Sequence, residues 1–517
     1  MAPLPSRIAS LVHSHFDALP TRSKPSIFPD GSREWIPMTG IVAVKGENTS
    51  YESLHCIAVT TGAKCLSASQ IPRCRGLVLH DCHAEILALR AFNYWLLTEC
   101  HGFIAEELKC KNTVDEIPNI ENQSTPTSAF IRKRNQSYQD PAPAPSIDWP
   151  RFELQPDVKI YMYCTCAPCG DASMELCMAA QEDDTPWEVT RETNIGSNTE
   201  SAEDAMLDGR AHFSLLGIVR RKPARTDAEA TRSKSCSDKI ALKQVSSLLS
   251  CETTHLVAPT ANTYLAGLIL PEDEISRVGC DRSFGPNGRM AALAGRSWPS
   301  IQDSAENQIG FRFRPFDILS VPAEEVHAMW QFSKPKPAEV LPKKSKPGNA
   351  SAVWTAAPSY SHSCRIIPET GSKTLPALRR SRTGIYETLV NGVKQGNKAS
   401  APGPRGASSL SRAKMWALFH DIVTLRACHT SLETDTDLNR QSESAMTEQS
   451  LGTPRKNIQR IKTYEDLKRV GDRLEDPLRV REEAIREAKK VLKGWIPNAK
   501  DDDWGLDVLV DPKKRKR

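Results

Sequence analysis

The feature that most constrains this chain is a histidine and a glutamate, two residues apart, at the start of an apolar helix. His83-Ala84-Glu85 runs into an apolar stretch, and residues 84–97 are predicted to form a long amphipathic helix. At a helix start, side chains two residues apart can face one ligand, whereas in mid-helix they diverge. A neutral imidazole can then bind zinc while the carboxylate carries protons. Taken alone, the pattern more often belongs to a capping or core histidine.

A second feature lies where a predicted buried strand, residues 158–164, leads into Pro168-Cys169-Gly170. Cys169 stands before the next helix, where backbone N–H groups favour the thiolate that binds zinc. His-x-Glu followed by Pro-Cys is typical of zinc deaminases, but the usual cysteine three residues further on is replaced by Ala172. A catalytic zinc needs three protein ligands, so Cys166 or a distant cysteine has to complete the set. A structural zinc, or thiols without metal, are the alternatives.

A third feature is a basic loop, residues 220–227, followed by Ser235-Cys236-Ser237-Asp238-Lys239. Its composition alone favours a solvated loop that leads into a helix. In this order, however, H-A-E, P-C-G-D-A-S and S-C-S-D-K-I-A resemble the adenosine deaminases acting on RNA, and most closely their tRNA-specific branch. Blocks near residues 33–35, 60–65, 390–392, 409–412, 464–468 and 494–496 are also similar, so the resemblance spans roughly residues 7–504 and leaves the polar insertions unmatched.

The resemblance implies an α/β (α+β) fold: a zinc-dependent deaminase core with a mixed sheet flanked by helices and a helical C-terminal extension. Residues 1–510 are then one domain, with insertions at about 110–150, 181–208, 334–349 and 430–455, and residues 511–517 are a basic tail. It also implies that His83, Cys169 and Cys236 hold one zinc ion. Glu85 is expected to shuttle protons while water replaces the amino group of adenosine and gives inosine.

The family also buries one inositol hexakisphosphate as a structural cofactor, which demands many cationic and hydroxyl partners. The matching positions are Arg90, Lys239, Arg412, Tyr464, Lys468 and Trp495. This chain departs from the family at Leu89, where a second arginine is usual, and at Leu242-Lys243, where Arg-Trp is usual; Lys243 is expected to supply some of the lost charge. Near the RNA, Ala63 replaces a usual threonine, and Lys64 is available for a phosphate.

Composition limits the class of protein and the cellular compartment in which this chemistry is expected. The chain carries a net charge of +5, which excludes a histone-like or strongly acidic protein. Its hydrophobic fraction of 39%, against 25% charged residues, is low for a chain of 517 residues. Uninterrupted apolar stretches long enough for a membrane span are absent from the sequence, and the N-terminus does not resemble a secretory signal. With 15 cysteines and no disulfide pattern, we expect a reducing compartment.

The expected partner is tRNA, with no membrane, DNA or obligate protein partner. Residues 1–40 leave no room for a double-stranded-RNA-binding module, so the tRNA branch is favoured, and it modifies adenosine-37, next to the anticodon of tRNA-Ala. Editing of double-stranded mRNA and a catalytically silent RNA-binding relative are the alternatives. The tail Pro512–Arg517 resembles a nuclear import signal, so we expect the nucleus, the cytoplasm or both.

Overall fold

Two apolar runs near the N-terminus pair antiparallel at the centre of the fold. Residues 38–44 are buried throughout, and residues 56–61 of the partner strand are buried as well. Both runs are rich in β-branched and small apolar residues, which suit a strand that is covered on both faces.

The computed structural model describes residues 2–114, 127–134, 150–180, 213–222, 229–298, 310–335, 345–359, 384–435, 461–469, 477–498 and 501–510. The strands are β1 Glu34–Trp35, β2 Met38–Lys45, β3 Ser53–Thr61, β4 Ala63–Cys65, β5 Asp81–His83, β6 Ile131–Lys133, β7 Phe152–Leu154, β8 Val158–Cys164, β9 Leu265–Pro271, β10 Ser297–Trp298, β11 Phe311–Arg312, β12 Asp317–Val321, β13 Lys346–Pro347, β14 Ala350–Thr355, β15 Tyr386–Val390 and β16 Val393–Lys394. The α-helices are α1 Leu4–Asp17, α2 Ala84–Val114, α3 Met174–Ala179, α4 Cys236–Ser246, α5 Cys251–Thr254, α6 Arg277–Phe284, α7 Ala323–Met329, α8 Arg412–Asp435, α9 Tyr464–Arg469 and α10 Pro477–Val491. Short 3₁₀ turns are formed by Thr21–Ser23, Ala68–Arg73, Asp171–Ser173, Ala261–Thr263, Glu272–Glu274, Ala291–Leu293 and Leu506–Leu509.

Eight strands form one mixed sheet in the order β12-β9-β8-β2-β3-β14-β15-β16. β12, β9 and β8 run parallel to one another, whereas every neighbouring pair from β8–β2 to β15–β16 is antiparallel. Helices pack on both faces, so the predicted mixed sheet flanked by helices is confirmed.

The two faces of the sheet carry separate apolar layers. The larger layer contains α2, α4 and α8, with Trp95 and Trp416 fully buried in it. The smaller layer packs α1 and α7 against the opposite face, around Phe16 and Trp330. The helix starts that carry the predicted zinc ligands therefore belong to the larger layer.

Aromatic stacking holds the C-terminal extension against the larger layer. The rings of Tyr464 and Trp504 stack with their centroids 4.8 Å apart, and Trp416 of α8 lies 6.0 and 5.8 Å from these two rings. Stacked rings at such distances add to the energy of apolar burial. The packing places Arg412 and Tyr464 beside α2.

Several element boundaries differ from the predictions. The predicted helix 84–97 continues to Val114, and the predicted insertion 110–150 contains β6, which pairs with β7. The predicted linker 334–349 contains β13, which pairs with β1. A polar surrounding sequence conceals such short strands, because two or three residues give too little periodicity to detect. In the predicted helical C-terminal extension, the structure describes the helices Tyr464–Arg469 and Pro477–Val491, and the second begins at a proline, which is favoured at a helix start.

The predicted insertion at 181–208 and the basic tail 511–517 lie outside the described residues, as does most of 430–455, of which α8 includes residues up to Asp435. Among the helices that the structure describes, none combines the length and apolar character that crossing a membrane requires.

Candidate active site

The fold brings the three predicted zinc ligands together. His83 ends β5, Cys169 lies just before the 3₁₀ turn Asp171–Ser173, and Cys236 is the first residue of α4. The Sγ atoms of Cys169 and Cys236 lie 3.8 and 3.7 Å from His83 Nδ1, and the three ligand atoms are all within 4.8 Å of one another. In a tetrahedral site with bonds of about 2.0–2.3 Å, ligand atoms stand about 3.6 Å apart, so this donor set fits zinc.

Two glycines let the ligand-bearing segments approach closely. Gly62, with φ of +154°, lies so near β5 that a Cβ atom would stand 1.9 Å from the carbonyl oxygen of Cys82. Gly170, with φ of +105°, lies against Ser235, where a Cβ would stand 2.2 Å from the Oγ atom. Both positions therefore exclude a side chain by space and by backbone conformation.

Ser237 joins the two cysteine-bearing segments. Its backbone N–H and its hydroxyl both donate to the carbonyl of Cys169 at 3.0 Å, and its Oγ accepts the N–H of Ala172 at 3.2 Å. The backbone N–H of Cys236 donates to Cys169 Sγ at 3.4 Å. Hydrogen bonding from Cys236, together with the cations nearby, holds the pKa of Cys169 well below its usual range despite burial. The site thus favours a thiolate, the form that binds metal.

A buried ion pair lies behind the ligands. Lys222 Nζ donates to Cys236 Sγ and to Asp81 Oδ1, both at 3.0 Å, and Asp81 Oδ1 accepts the backbone N–H of His83 at 3.0 Å. Lys239 Nζ also reaches Asp81, and Ser233 donates to it at 2.9 Å. Although burial opposes ionisation, these lysines hold the pKa of Asp81 well below its usual value, and Asp81 raises that of Lys222. The network fixes His83, and Lys222 opposes the rise in the pKa of Cys236 that burial and the negative charge of Cys169 cause.

Glu85 lies in the first turn of α2 and is only 3% exposed. Its Oε2 atom is buried and accepts no hydrogen bond from any residue that the structure describes. Burial, followed by the negative charge of Cys169, raises the pKa of Glu85. A buried carboxylate oxygen that accepts no hydrogen bond from the described residues, beside a metal-ligand cluster, is suited to exchange protons with a bound substrate.

The other sequence-derived candidates near the ligands are placed as follows. Cys166 is not part of the group formed by His83, Cys169 and Cys236, and burial raises the pKa of its thiol well above the usual value. Lys64 lies on β4, directly opposite Cys82 of β5, and is partly exposed.

The segment that builds this site matches a known protein family. Residues 58–126 and 128–273 match the adenosine-deaminase (editase) domain. The matched residues include His83, Glu85, Cys169 and Cys236. The part of the chain that carries the site is therefore similar to that domain.

Individual proteins that are similar to this chain include two from fungi. A protein named tRNA-specific adenosine deaminase 1 from Schizosaccharomyces pombe is 35% identical over 313 residues, which cover 60% of this chain and 66% of that protein. Its namesake from Saccharomyces cerevisiae is 30% identical over 275 residues, 52% of this chain and 60% of that protein. Double-stranded RNA-specific editase B2 of Rattus norvegicus is 25% identical over 257 residues, which cover 29% of it. The chain therefore spans less than two thirds of each of these relatives.

Near the metal ligands lies a group of basic side chains, the cationic cluster, formed by Arg90, Lys243, Arg412, Lys468, Arg481 and Lys489, of which Lys468 is exposed and the others are partly buried. Burial and the charge of Arg412 lower the pKa of Arg90, and burial with Arg481 and Arg90 lowers that of Lys243 well below its usual value. Burial and Arg481 lower the pKa of Lys489. These like charges repel one another in a partly buried place, an arrangement that costs free energy unless an anion is bound.

The predicted cofactor residues all lie in or beside the cationic cluster. Arg412 and Lys468 stand 5.5 and 5.4 Å from the ring centre of Tyr464, whose hydroxyl donates to Glu252 at 2.9 Å. Lys489 stands 5.5 Å from the ring centre of Trp495. Lys239 lies on α4, one turn before Lys243, and its ammonium group pairs with Asp81 behind the metal ligands.

The acidic residues at the cluster's edge are Asp501, which pairs with Arg412, and Asp502, which pairs with Lys468. With Glu252, with Glu482 near Lys489 and with Asp81 near Arg90, the acidic residues in the described part of the chain are still fewer than the six cations.

Two members of the cationic cluster, Arg481 and Lys489, were not predicted from the sequence. Arg481 lies three residues after Leu478 and three before Ala484, both buried, so it falls on the buried stripe of α10. The sequence signal that could have identified Arg481 is a basic residue within an apolar stripe. Arg481 donates only to the carbonyl of Leu249, at 3.1 Å, and its Nε has no partner within the described parts of the chain.

Proposed function

We propose that this protein is a zinc-dependent enzyme that deaminates adenosine to inosine in tRNA. The observation that carries the proposal is Glu85 Oε2, a buried carboxylate oxygen without a partner among the described residues, beside His83, Cys169 and Cys236. A structural zinc site has no use for such a group, because four protein ligands close it, whereas a catalytic site keeps one position open.

The reaction follows from the placement of these side chains. Zinc held by His83, Cys169 and Cys236 would supply an activated water at neutral pH. In our proposal, Glu85 takes the proton that this water loses as its oxygen attacks C6 of the adenine, and delivers it to ring nitrogen N1. Glu85 then transfers the second water proton to the amino group, the C6–N bond breaks, and ammonia leaves inosine behind. Its raised pKa suits both directions of transfer.

The tRNA substrate is supported by the two fungal relatives, which are named for that activity. We propose adenosine-37, next to the anticodon of tRNA-Ala, as the modified base. An unpaired loop base costs little to turn out of its stack. It has to leave the stack in order to reach a buried carboxylate beside the metal. Lys64, one strand away from His83, is proposed to contact a neighbouring phosphate.

The cationic cluster is proposed to hold inositol hexakisphosphate. Lys243 is the clearest indication. Among the described residues, its Nζ donates only to the main-chain carbonyls of Leu249 at 3.1 Å and Leu248 at 3.5 Å, while Arg481 and Arg90 repel it. Six phosphate groups would replace this repulsion by charge-assisted hydrogen bonds. Phosphorus analysis and mass spectrometry of the purified protein test the assignment.

The function is tested by incubating the zinc-loaded protein with unmodified tRNA-Ala transcript and sequencing the product. We expect inosine at the base 3′ of the anticodon, and none with Glu85→Ala or with a long RNA duplex. Inosine at a different tRNA position would overturn position 37 but leave tRNA deamination standing. No inosine on any RNA, with zinc bound, would overturn the enzyme proposal.

Editing of double-stranded RNA is the second candidate, favoured by the 25% identity to double-stranded RNA-specific editase B2. It predicts inosine scattered along the duplex and little in the tRNA transcript, so the same experiment separates the two candidates.

A further inference from the structure

Two stretches of the sequence contain basic residues but no acidic ones, and both reach the surface on one side of the protein. Residues 62–80 and 388–420 contain no aspartate or glutamate. Acidic residues number 63 in 517, so stretches of this combined length would carry about six on average. Both stretches contain lysines and arginines whose side chains reach the surface.

The two stretches form one continuous surface. Leu66, Ile71, Cys74 and Val78 from the first pack with Val393 from the second in a small apolar cluster of their own. The backbone N–H of Leu79 also donates to the carbonyl of Gly392, at 2.9 Å. We call the exposed side of residues 64–76 and 391–406 the basic face. Its basic residues are Lys64, Arg73, Arg75, Lys394, Lys398 and Arg405.

The basic face begins at the active site. Residues 63–65 pair with residues 81–83, so Ala63 lies directly opposite the predicted zinc ligand His83. A polymer whose reactive base sits at the metal would therefore pass over this face. Acidic side chains from other segments reach it at Glu229, which binds Ser69, at Asp507, 4.0 Å from Arg75, and at Glu387, which pairs with Lys394. They neutralise part of the basic charge and leave Arg73 and Lys398 exposed.

The composition of the basic face favours a polyanion over a protein partner. The exposed large apolar side chains of the described residues are Ile27, Tyr51, Leu216, Val278, Leu425 and Val510, none of which lies in either acid-free stretch. Protein interfaces draw their affinity from buried aromatic and apolar anchors, whereas nucleic acids are held through their phosphates.

We propose that the basic face binds the phosphate backbone of the substrate RNA beyond the reacting adenosine. This inference rests on the proposed function, and it adds the surface by which the RNA is held. Arg73 on the first stretch and Lys398 on the second are exposed, and neither makes an ion pair within the described part of the chain. Both are therefore available to phosphates.

The test uses the full-length, zinc-loaded protein and a tRNA-Ala transcript. Arg73→Glu/Lys398→Glu is expected to weaken binding by about tenfold or more, to lower by about two the slope of log affinity against log salt, and to raise KM while kcat stays unchanged. The control is Lys334→Glu, an exposed lysine beyond α7 in the smaller layer, which is expected to change affinity less than about twofold. Zinc content and melting temperature should match the wild type in both variants.

An unchanged affinity and salt slope in the double variant, or equal losses in the control, would overturn the basic face as the binding surface, even if the wild type forms inosine. If the wild type forms no inosine but the double variant still loses RNA affinity, the proposed reaction fails while the surface stands. Displacement of bound RNA by polyglutamate as effectively as by a second RNA would overturn the choice of RNA and favour an acidic protein.

Discussion

The metal-ligand cluster and the cationic cluster lie side by side, yet they are built in opposite ways. His83, Cys169 and Cys236 come from three short motifs, and each is fixed by main-chain contacts at the end of a strand or the start of a helix or turn. The cationic cluster draws one or two side chains from each of α2, α4, α8, α9 and α10. A small cation needs a few ligands at exact distances, whereas a large polyanion needs charge from many directions. The first is therefore local in the sequence and the second is dispersed.

The largest expected effect concerns the choice of zinc ligands. Cys236→Ala is expected to reduce bound zinc from about one per chain to near zero and to abolish inosine formation, because two remaining ligands hold the metal poorly. Cys166→Ala, the matched control, is expected to keep both, because Cys166 lies outside the ligand group. Metal analysis by mass spectrometry measures the difference. Zinc retained by Cys236→Ala, or lost from Cys166→Ala, would refute this ligand set.

The next effect separates chemistry from binding within the metal site. Glu85→Gln keeps the shape of the side chain but cannot accept a proton, so the rate of inosine formation is expected to fall by about 10²–10⁴-fold. Zinc content and tRNA affinity are expected to remain unchanged. Single-turnover rates with zinc analysis provide the measurement. A loss below tenfold would show that another group transfers the proton.

In the cationic cluster, the sign of the change in stability when one cation is removed shows whether a polyanion is bound. If a polyanion is bound, Arg481→Met is expected to lower the free energy of unfolding by about 1.5–3 kcal/mol and to reduce co-purified phosphorus. Without a polyanion, removal of one of several mutually repelling, partly buried charges would leave stability unchanged or increase it. Arg479→Met, two residues away on the exposed side of α10, is the control and should change neither quantity. Denaturant unfolding and phosphorus analysis give the answer.

A smaller effect comes from Glu99, a buried carboxylate that belongs to neither cluster. It accepts hydrogen bonds from Ser128 and from the backbone and hydroxyl of Ser359, and burial raises its pKa to about 7. Because the folded state holds this proton more tightly than the unfolded state, the contribution of Glu99 to stability falls as pH rises from its ordinary pKa of 4.5 to about 7.

The corresponding measurement is the difference between the wild type and Glu99→Gln. Between about pH 6 and 7 the wild type is expected to lose about 1 kcal/mol of unfolding free energy relative to the variant. Parallel pH profiles for the two proteins would contradict the assignment. The result calibrates how strongly this interior penalises a buried charge that has neither a metal nor an anion beside it.

The difference between the two clusters also explains what could be predicted from the sequence. The motifs around His83, Glu85 and Cys169 carry their own chemistry, and the buried strand Val158–Cys164 was predicted with its exact bounds. The link from Cys236 to the other two ligands came from the family resemblance, because no local spacing identifies a ligand that lies so far along the chain.

What escaped prediction depends on packing between distant segments. Arg481 and Lys489 lie in an ordinary charged helix, and the docking of α10 against α4 places Arg481 beside Lys243. The strands Ile131–Lys133 and Lys346–Pro347 lie in polar surroundings and form because their backbone groups find partners elsewhere. The Lys222–Asp81 pair joins residues 141 positions apart, so the local sequence around neither residue predicts it.

The most direct test of the central claim, hydrolytic deamination of adenosine at this metal site, follows the oxygen atom. The zinc-loaded protein is incubated with tRNA-Ala transcript in water enriched in oxygen-18, and the nucleosides and released ammonia are quantified. The account predicts inosine that carries the heavy oxygen at C6 and one ammonia per inosine. Unchanged adenosine on tRNA and on duplex RNA alike, with zinc stoichiometrically bound, would contradict it.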